Sequence, residues 1–302
     1  MARYVTAPLA LLLVATAGLA VERGAVVIKR DADLKVSGKK VGEVKAGDIY
    51  TVHAVRGAWI EVGEETKGWV RADNVVQGQE AIAHITKQLL ESPSDSKLLL
   101  TRAKMHLAQL VGNRTADEPE LEAAEHDLQE ALQAAPHDAE VRYAMAQLAL
   151  RCDDREQAET RLAEAIELNA KEPRFYELRG KLLQLRGDQA AALKDFEEAI
   201  EQGTASAVLY NNVAWHYATD FDPSLRDGKK ALKYAQQACD LTAHKNYMFL
   251  DTLAAAYAET GDFANAMRVQ QEAIDACPRS GGGKAALEER LRLYRLNQPY
   301  RE

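Results

Sequence analysis

The chain has 302 residues, 47 % of them apolar and 28 % charged, the balance of a globular protein long enough for two domains. Its net charge of −8 speaks against a grip on nucleic-acid phosphates, which calls for a basic surface. The cysteines are Cys152, Cys239 and Cys277. Their wide spacing excludes a paired metal-ligand motif, and an odd number leaves at least one thiol outside any intrachain disulfide.

Residues 1–20 are expected to be a secretory signal peptide. Arg3 and the amino group supply a positive start, residues 7–14 an apolar stretch, and Gly18 and Ala20 the small residues before a cleavage point. The alternative is an uncleaved anchor, for which the apolar run at 7–20 is short. No cysteine follows that could take a lipid, and no later apolar run is long enough to span a bilayer, so no integral span is expected once the leader is removed.

Residues 22–77 carry strand signals. Val26-Val27-Ile28 is a short apolar run, residues 31–40 suit a hairpin, and residues 49–55 alternate as one strand. Many short strands with glycine turns imply a small barrel, which protects strand edges. The runs Ala58-Trp59-Ile60-Glu61-Val62, Thr66-Lys67-Gly68-Trp69-Val70 and Asp73-Asn74-Val75 resemble a bacterial SH3-like domain. That resemblance implies a module often associated with peptides or peptidoglycan. Tyr50, Trp59 and Trp69 are the candidates for its aromatic groove; alternatively the two tryptophans pack the small core.

From Glu80 onwards Ala, Leu, Glu and Gln dominate, the strong helix formers. Residues 78–94 read as a linker helix. Beyond it a 34-residue register appears: Ala124, Leu128 and Ala131 recur as Ala158, Leu162 and Ala165, then as Ala192, Phe196 and Ala199. Ala146, Gly180 and Ala214 keep the same step in the preceding helix. Pro173 suits a helix start and Gly187 a left-handed helix end. Leu250, Ala254, Tyr257, Gly261, Ala266, Ala273 and Pro278 resemble the tetratricopeptide repeat, with small residues at its eighth, twentieth and twenty-seventh positions. The resemblance implies five helical hairpins over residues 97–278, irregular in the first and the fourth. Residues 279–283 then form a flexible linker, and residues 284–296 a capping helix with Leu287, Leu291 and Tyr294 on its apolar stripe. The expected fold is therefore multidomain: a small all-β SH3-like barrel followed by an all-α superhelical solenoid. Residues 207–302 further resemble a tetratricopeptide subgroup met in Planctomycete-type bacteria.

By analogy with the repeat family, partner-facing residues lie at the fifth and ninth positions of each first helix: Tyr143, Gln147, Glu177, Lys181, Asn211, Trp215 and Asp251. Lys181 is the one strong cation among them, which argues against a clamp for a terminal carboxylate. No His-Glu-x-x-His or phosphate-loop motif occurs. The expectation is a non-catalytic protein-interaction scaffold or adaptor without metal or cofactor, periplasmic or secreted in a bacterial envelope, with a protein or peptide partner. The alternative is a peptidoglycan- or cell-wall-binding protein using the SH3-like module.

Overall fold

The computed structural model describes residues 25–45, 48–52, 54–62, 68–109, 119–204, 206–278 and 283–302. The expected signal peptide, the turn at 63–67 and most of the linker at 279–283 lie outside those residues. The chain divides into two compact units, residues 1–154 and 155–302.

Among its described residues the first unit opens with eight strands: β1 (Ala25–Ile28), β2 (Ala32–Val36), β3 (Lys39–Val44), β4 (Ile49–Thr51), β5 (Ala54–Arg56), β6 (Trp59–Val62), β7 (Gly68–Arg71) and β8 (Val75–Val76). They form a three-stranded sheet in the order β4-β1-β8 and a five-stranded sheet in the order β3-β2-β7-β6-β5. Among the described residues the sheets do not close into a barrel. The β2–β3 hairpin turns at Ser37 and Gly38, both at positive φ, which matches the twist of the flanking strands. The alternating run at 49–55 is two strands rather than one: β4 pairs with β1 and β5 pairs with β6. Val52, between them, is buried where the chain passes from one sheet to the other.

The β core is aliphatic: Val26, Ile28, Leu34, Val44, Val52, Ile60, Val62, Val70 and Val75. Such β-branched residues fill a small pleated interior efficiently. The tryptophans are therefore not its filling; Trp59 is 38 % exposed. Gly68 has a packing reason, since a Cβ there would stand 2.9 Å from the Leu34 Cβ.

Among the described residues four helices follow in this unit: α1 (Gly78–Glu91), α2 (Ser96–Gln109), α3 (Pro119–Ala134) and α4 (Ala139–Arg151). Helix α1 buries Ala81, Ile82, Ile85 and Leu89 in one cluster with residues of α2, α3 and α4 and with Val27 of β1. It is thus packed structure with a continuous apolar face. Arg102 of α2 forks onto Asp127 of α3, with Nε to Oδ2 at 2.8 Å and Nη2 to Oδ1 at 2.6 Å.

Among its described residues the second unit has helices and no strand: α5 (Arg155–Leu168), α6 (Pro173–Arg186), α7 (Gln189–Glu201), α8 (Ala207–Thr219), α9 (Gly228–Leu241), α10 (Tyr247–Glu259), α11 (Phe263–Ala276) and α12 (Lys284–Arg295). Side chains of Asp188, Ser206, Asp227, Asn246 and Asp262 accept from the first free N–H groups of the helices they precede. Gly187 ends α6 at φ +90°, a conformation that costs glycine little. The 34-residue positions are the buried ones: Ala158, Leu162, Ala165, Ala192, Phe196, Ala199 and Ala214. The Phe196 ring lies directly over Gly180, so the small residue on α6 makes room for the large one on α7. Within this same hairpin Arg179 forks onto Asp195 at 2.7 and 2.8 Å, repeating the Arg102–Asp127 device. Helix α12 covers the last hairpin with Leu287, Leu291 and Tyr294.

Candidate protein-binding site

The positions expected to face a partner lie on the first helices of the hairpins. In the first unit, Tyr143 and Gln147 lie on α4, both half-buried. In the second unit, Glu177 on α6 accepts from the Thr204 hydroxyl at 2.5 Å, and Lys181, one turn on, is exposed. On α8, Asn211 and Trp215 are half-buried. Asn211 Oδ1 is shielded from solvent and finds no hydrogen-bond partner among the described residues.

Asp251 on α10 differs from the others: it is buried and already engaged. Arg290 of α12 forks onto it, Nε to Oδ1 at 2.8 Å and Nη2 to Oδ2 at 2.7 Å. Gln270 of α11, itself buried, adds a 2.8 Å bond from Nε2 to Oδ1 and donates also to the Leu287 carbonyl at 3.1 Å. Burial pushes the Asp251 carboxyl above its ordinary value, and the Arg290 and Gln270 bonds act against that. This charge is thus a fastener for the last helix, which sequence spacing alone placed in an open groove.

Trp215 is engaged as well, by the residues after α12. Asn297 adopts φ +54°, and the Gln298 N–H donates to the Leu293 carbonyl at 3.0 Å, which closes the helix and turns the chain. Tyr300 then lies 5.8 Å from the Trp215 ring, centre to centre. The Arg290 guanidinium stands 5.4 Å from the Trp215 ring and 5.2 Å from the Tyr300 ring. Trp215 Nε1 donates to Glu302 Oε1 at 2.7 Å. The Glu302 N–H donates to the Thr219 carbonyl at 3.0 Å, and Arg301 Nη1 to the Ala218 carbonyl at 3.1 Å. Arg301 also pairs with Glu259 at the end of α10, at 2.5 Å. Arg290, Glu259 and the last carbonyls of α8 were not among the candidates. Nothing in their spacing marks them, because chain reversal after α12 brings them together.

On the five-stranded sheet, Trp69 of β7 is paired with Lys35 of β2 and Glu61 of β6, and Trp59 of β6 with Arg56 of β5 and Arg71 of β7. The two indoles line one shallow depression with Lys35, Ser37, Gly38 and Arg56. The Arg56 guanidinium sits 5.1 Å from the Trp69 ring. Tyr50 is elsewhere: it lies on β4 in the other sheet and donates to Asp48 at 3.2 Å. The structure thus brings together two of the three expected aromatics, on an aromatic and cationic face.

His126, Asp127 and Glu130 converge closely enough to suggest a metal cluster, but Asp127 is already committed to the Arg102 fork. Burial holds His106 and His216 below their ordinary values. His216 Nε2 lies 2.6 Å from Gln184 Nε2, a contact internal to the packed helices.

Tetratricopeptide-repeat models match residues 117–182 and residues 249–280. The chain therefore carries tetratricopeptide repeats, modules that mediate protein–protein interactions. No curated protein matches it. Among solved structures it is similar to YrrB, described as a TPR protein with an unusual peptide-binding site, at 16 % identity, TM-score 0.51, covering 65 % of this chain and 93 % of that one. It is also similar to a MamA fragment from Desulfovibrio magneticus RS-1, at 18 % identity, TM-score 0.46, covering 60 % of this chain and 94 % of that one. For yeast Tom70 the identity is 17 %, the TM-score 0.48 and the coverage 73 % and 44 %. The YrrB likeness shows the helical-repeat fold and no more. Among the described residues no helix is long and apolar enough to cross a membrane.

Proposed function

We propose that this protein is a non-catalytic scaffold or adaptor of the bacterial cell envelope, periplasmic or secreted, which holds a protein or peptide partner on its helical repeats. The observation that carries the reading is the surface around Trp215, which supports an extended segment through an indole N–H and two helix-end carbonyls. Those are groups suited to backbone and side chains of a peptide rather than to a reacting small molecule. In this reading residues 1–20 are a leader that carries the chain out of the cytoplasm. Cross-linking in intact cells, followed by mass spectrometry of the purified complex, tests it. A partner recovered in stoichiometric amounts from the envelope fraction is the expected result; a protein that stays cytosolic and enriches nothing over a tag-only control contradicts it.

A second reading draws on the sheet face. Here the first module is an SH3-like domain that binds peptidoglycan or other wall material through Trp59 and Trp69. Two indoles held outside the core, beside Lys35 and Arg56, favour it. Sedimentation of the full chain with purified wall material decides the point. Retention lost in Trp59→Ala and Trp69→Ala, with unfolding unchanged, supports wall binding, and equal retention of both variants excludes this face.

A further inference from the structure

Residues 300–302, after α12, pack on side chains and carbonyls of α8, α10 and α12. Each of these three residues meets a different kind of group. Tyr300 packs on the Arg290 guanidinium and the Trp215 ring. Arg301 reaches the Ala218 carbonyl and the Glu259 carboxylate. The end of α8 is the negative end of its helix dipole, so a cation is favoured there. Glu302 places its carboxylate on the Trp215 N–H and its own N–H on the Thr219 carbonyl. Both α8 carbonyls belong to the last turn, where the helix has no N–H left to offer them.

The receiving side is built independently of the segment. Arg290 is fixed by its two bonds to buried Asp251, and Asp251 by Gln270. Glu259 is held from the other side by Arg226 at 3.2 Å, and Arg226 in turn donates to the Asp220 carbonyl at 2.8 Å. Removing the segment would leave an aromatic plate, a fixed guanidinium, a carboxylate and two bare carbonyls at fixed spacing. Asn297, Gln298 and Glu302 are exposed, and Tyr300 and Arg301 are half-buried.

We propose that the surface formed by Trp215, Ala218 and Thr219 of α8, Glu259 of α10 and Arg290 of α12 is a peptide site. Its ligand class is an extended aromatic–arginine–acidic tripeptide of a partner protein, and residues 300–302 occupy the site in the free chain until such a segment displaces them. The proposal rests on the scaffold reading and supplies its ligand. A tethered occupant acts at an effective concentration of about millimolar, so it weakens an outside competitor without abolishing its binding. The apparent affinity falls by the fraction of chains whose site is open.

The test uses a fluorescein-labelled peptide of the sequence Asn-Gln-Pro-Tyr-Arg-Glu and its scrambled control, read by fluorescence anisotropy. The chain lacking residues 297–302 should bind the probe at least tenfold more tightly than the intact chain, and neither should hold the scrambled peptide. Trp215→Phe in the shortened chain keeps an aromatic ring and loses the N–H, and should weaken binding about tenfold, as the loss of a hydrogen bond to a charged group implies. Because shortening removes contacts to α8 and α10, the intact-length triple variant Tyr300→Ala, Arg301→Ala, Glu302→Lys serves as a second opened form and should bind the probe like the shortened chain. Folded opened chains that do not bind the probe, or an intact chain that binds it equally well, overturn the proposal. An intact chain that sediments as a dimer and becomes monomeric on Trp215→Phe would put a second copy's segment in the site, and would also overturn it. A failed probe together with a stoichiometric envelope partner would remove this ligand class and leave the scaffold standing.

Discussion

Replacing Gly180 by alanine sets two effects of known sign against each other. In an exposed helix interior the change should stabilise by about 1 kcal/mol, because glycine is the poorer helix former. Here the new Cβ would stand 2.5 Å from Phe196 Cε1, 2.6 Å from Cδ1 and 3.1 Å from Cζ. Carbon atoms in contact normally lie about 3.5–4.0 Å apart. Phe196 is 1 % exposed and cannot swing into solvent. Overpacking of this kind costs about 1–3 kcal/mol, so the net effect is a loss of up to about 2 kcal/mol. The sign should reverse in a Phe196→Leu background, since leucine lacks Cε1 and Cζ and its methyl groups can rotate away. There Gly180→Ala should recover much of the helix gain, giving a coupling of about 1–3 kcal/mol between the two sites, the overpacking that is relieved. Urea unfolding followed at 222 nm measures all four proteins, with midpoints compared at constant slope. A Gly180→Ala protein more stable than the parent, or an effect equal in both backgrounds, would refute the account of why small and large residues alternate across this hairpin.

Asp251→Ala leaves Arg290 poorly solvated and without its partner, and should cost about 3–5 kcal/mol. Asp251→Asn should cost less, and a loss no larger than that of exposed Asp275→Ala would contradict the fastening role. The pH dependence has a defined direction. Burial lowers the folded-state value of His216, opposed by Asp220 at 4.0 Å and by Glu302, so the unfolded chain takes up the proton first. Stability should fall as pH drops below the unfolded value of about 6.5, and the loss should level off below the folded value. His216→Gln should flatten that slope in unfolding curves at pH 7.5 and 5; an unchanged slope would refute the assignment. Thiol titration should find one accessible group in the native protein, exposed Cys152, and three in denaturant. Burial pushes the Cys239 thiol up to about 12, so rapid native labelling of all three would contradict the packing.

The repeat register was legible because burial acts on the same positions in each copy. Ala124, Leu128 and Ala131 and their equivalents 34 and 68 residues on are all buried. The stripe Leu287, Leu291 and Tyr294 was legible for the same reason, as a helical period with charge opposite. Alternation at 49–55 misled because both sides of that run are partly apolar, so period two could not show where the chain changes sheets. The position of the tryptophans was open from sequence, since valine and isoleucine alone suffice to fill this core. Polar pairings were illegible: Arg102 and Asp127 lie 25 residues apart, Arg290 and Asp251 39 apart, and no local signal links them. The fate of Trp215 was hidden for a related reason. Its partner Glu302 lies 87 residues away and arrives through the turn at Asn297.

Site-specific photocross-linking tests most directly whether the helical repeats hold a partner by their first helices. Lys181 on α6 and Lys194 on α7 are both exposed and belong to the same hairpin. Each is replaced in turn by p-benzoylphenylalanine in the full chain, and the producing cells are irradiated. The account predicts a discrete protein adduct from position 181, absent at position 194 and suppressed by excess unlabelled wild-type chain. Equal adducts from both positions, or none from position 181, would contradict it.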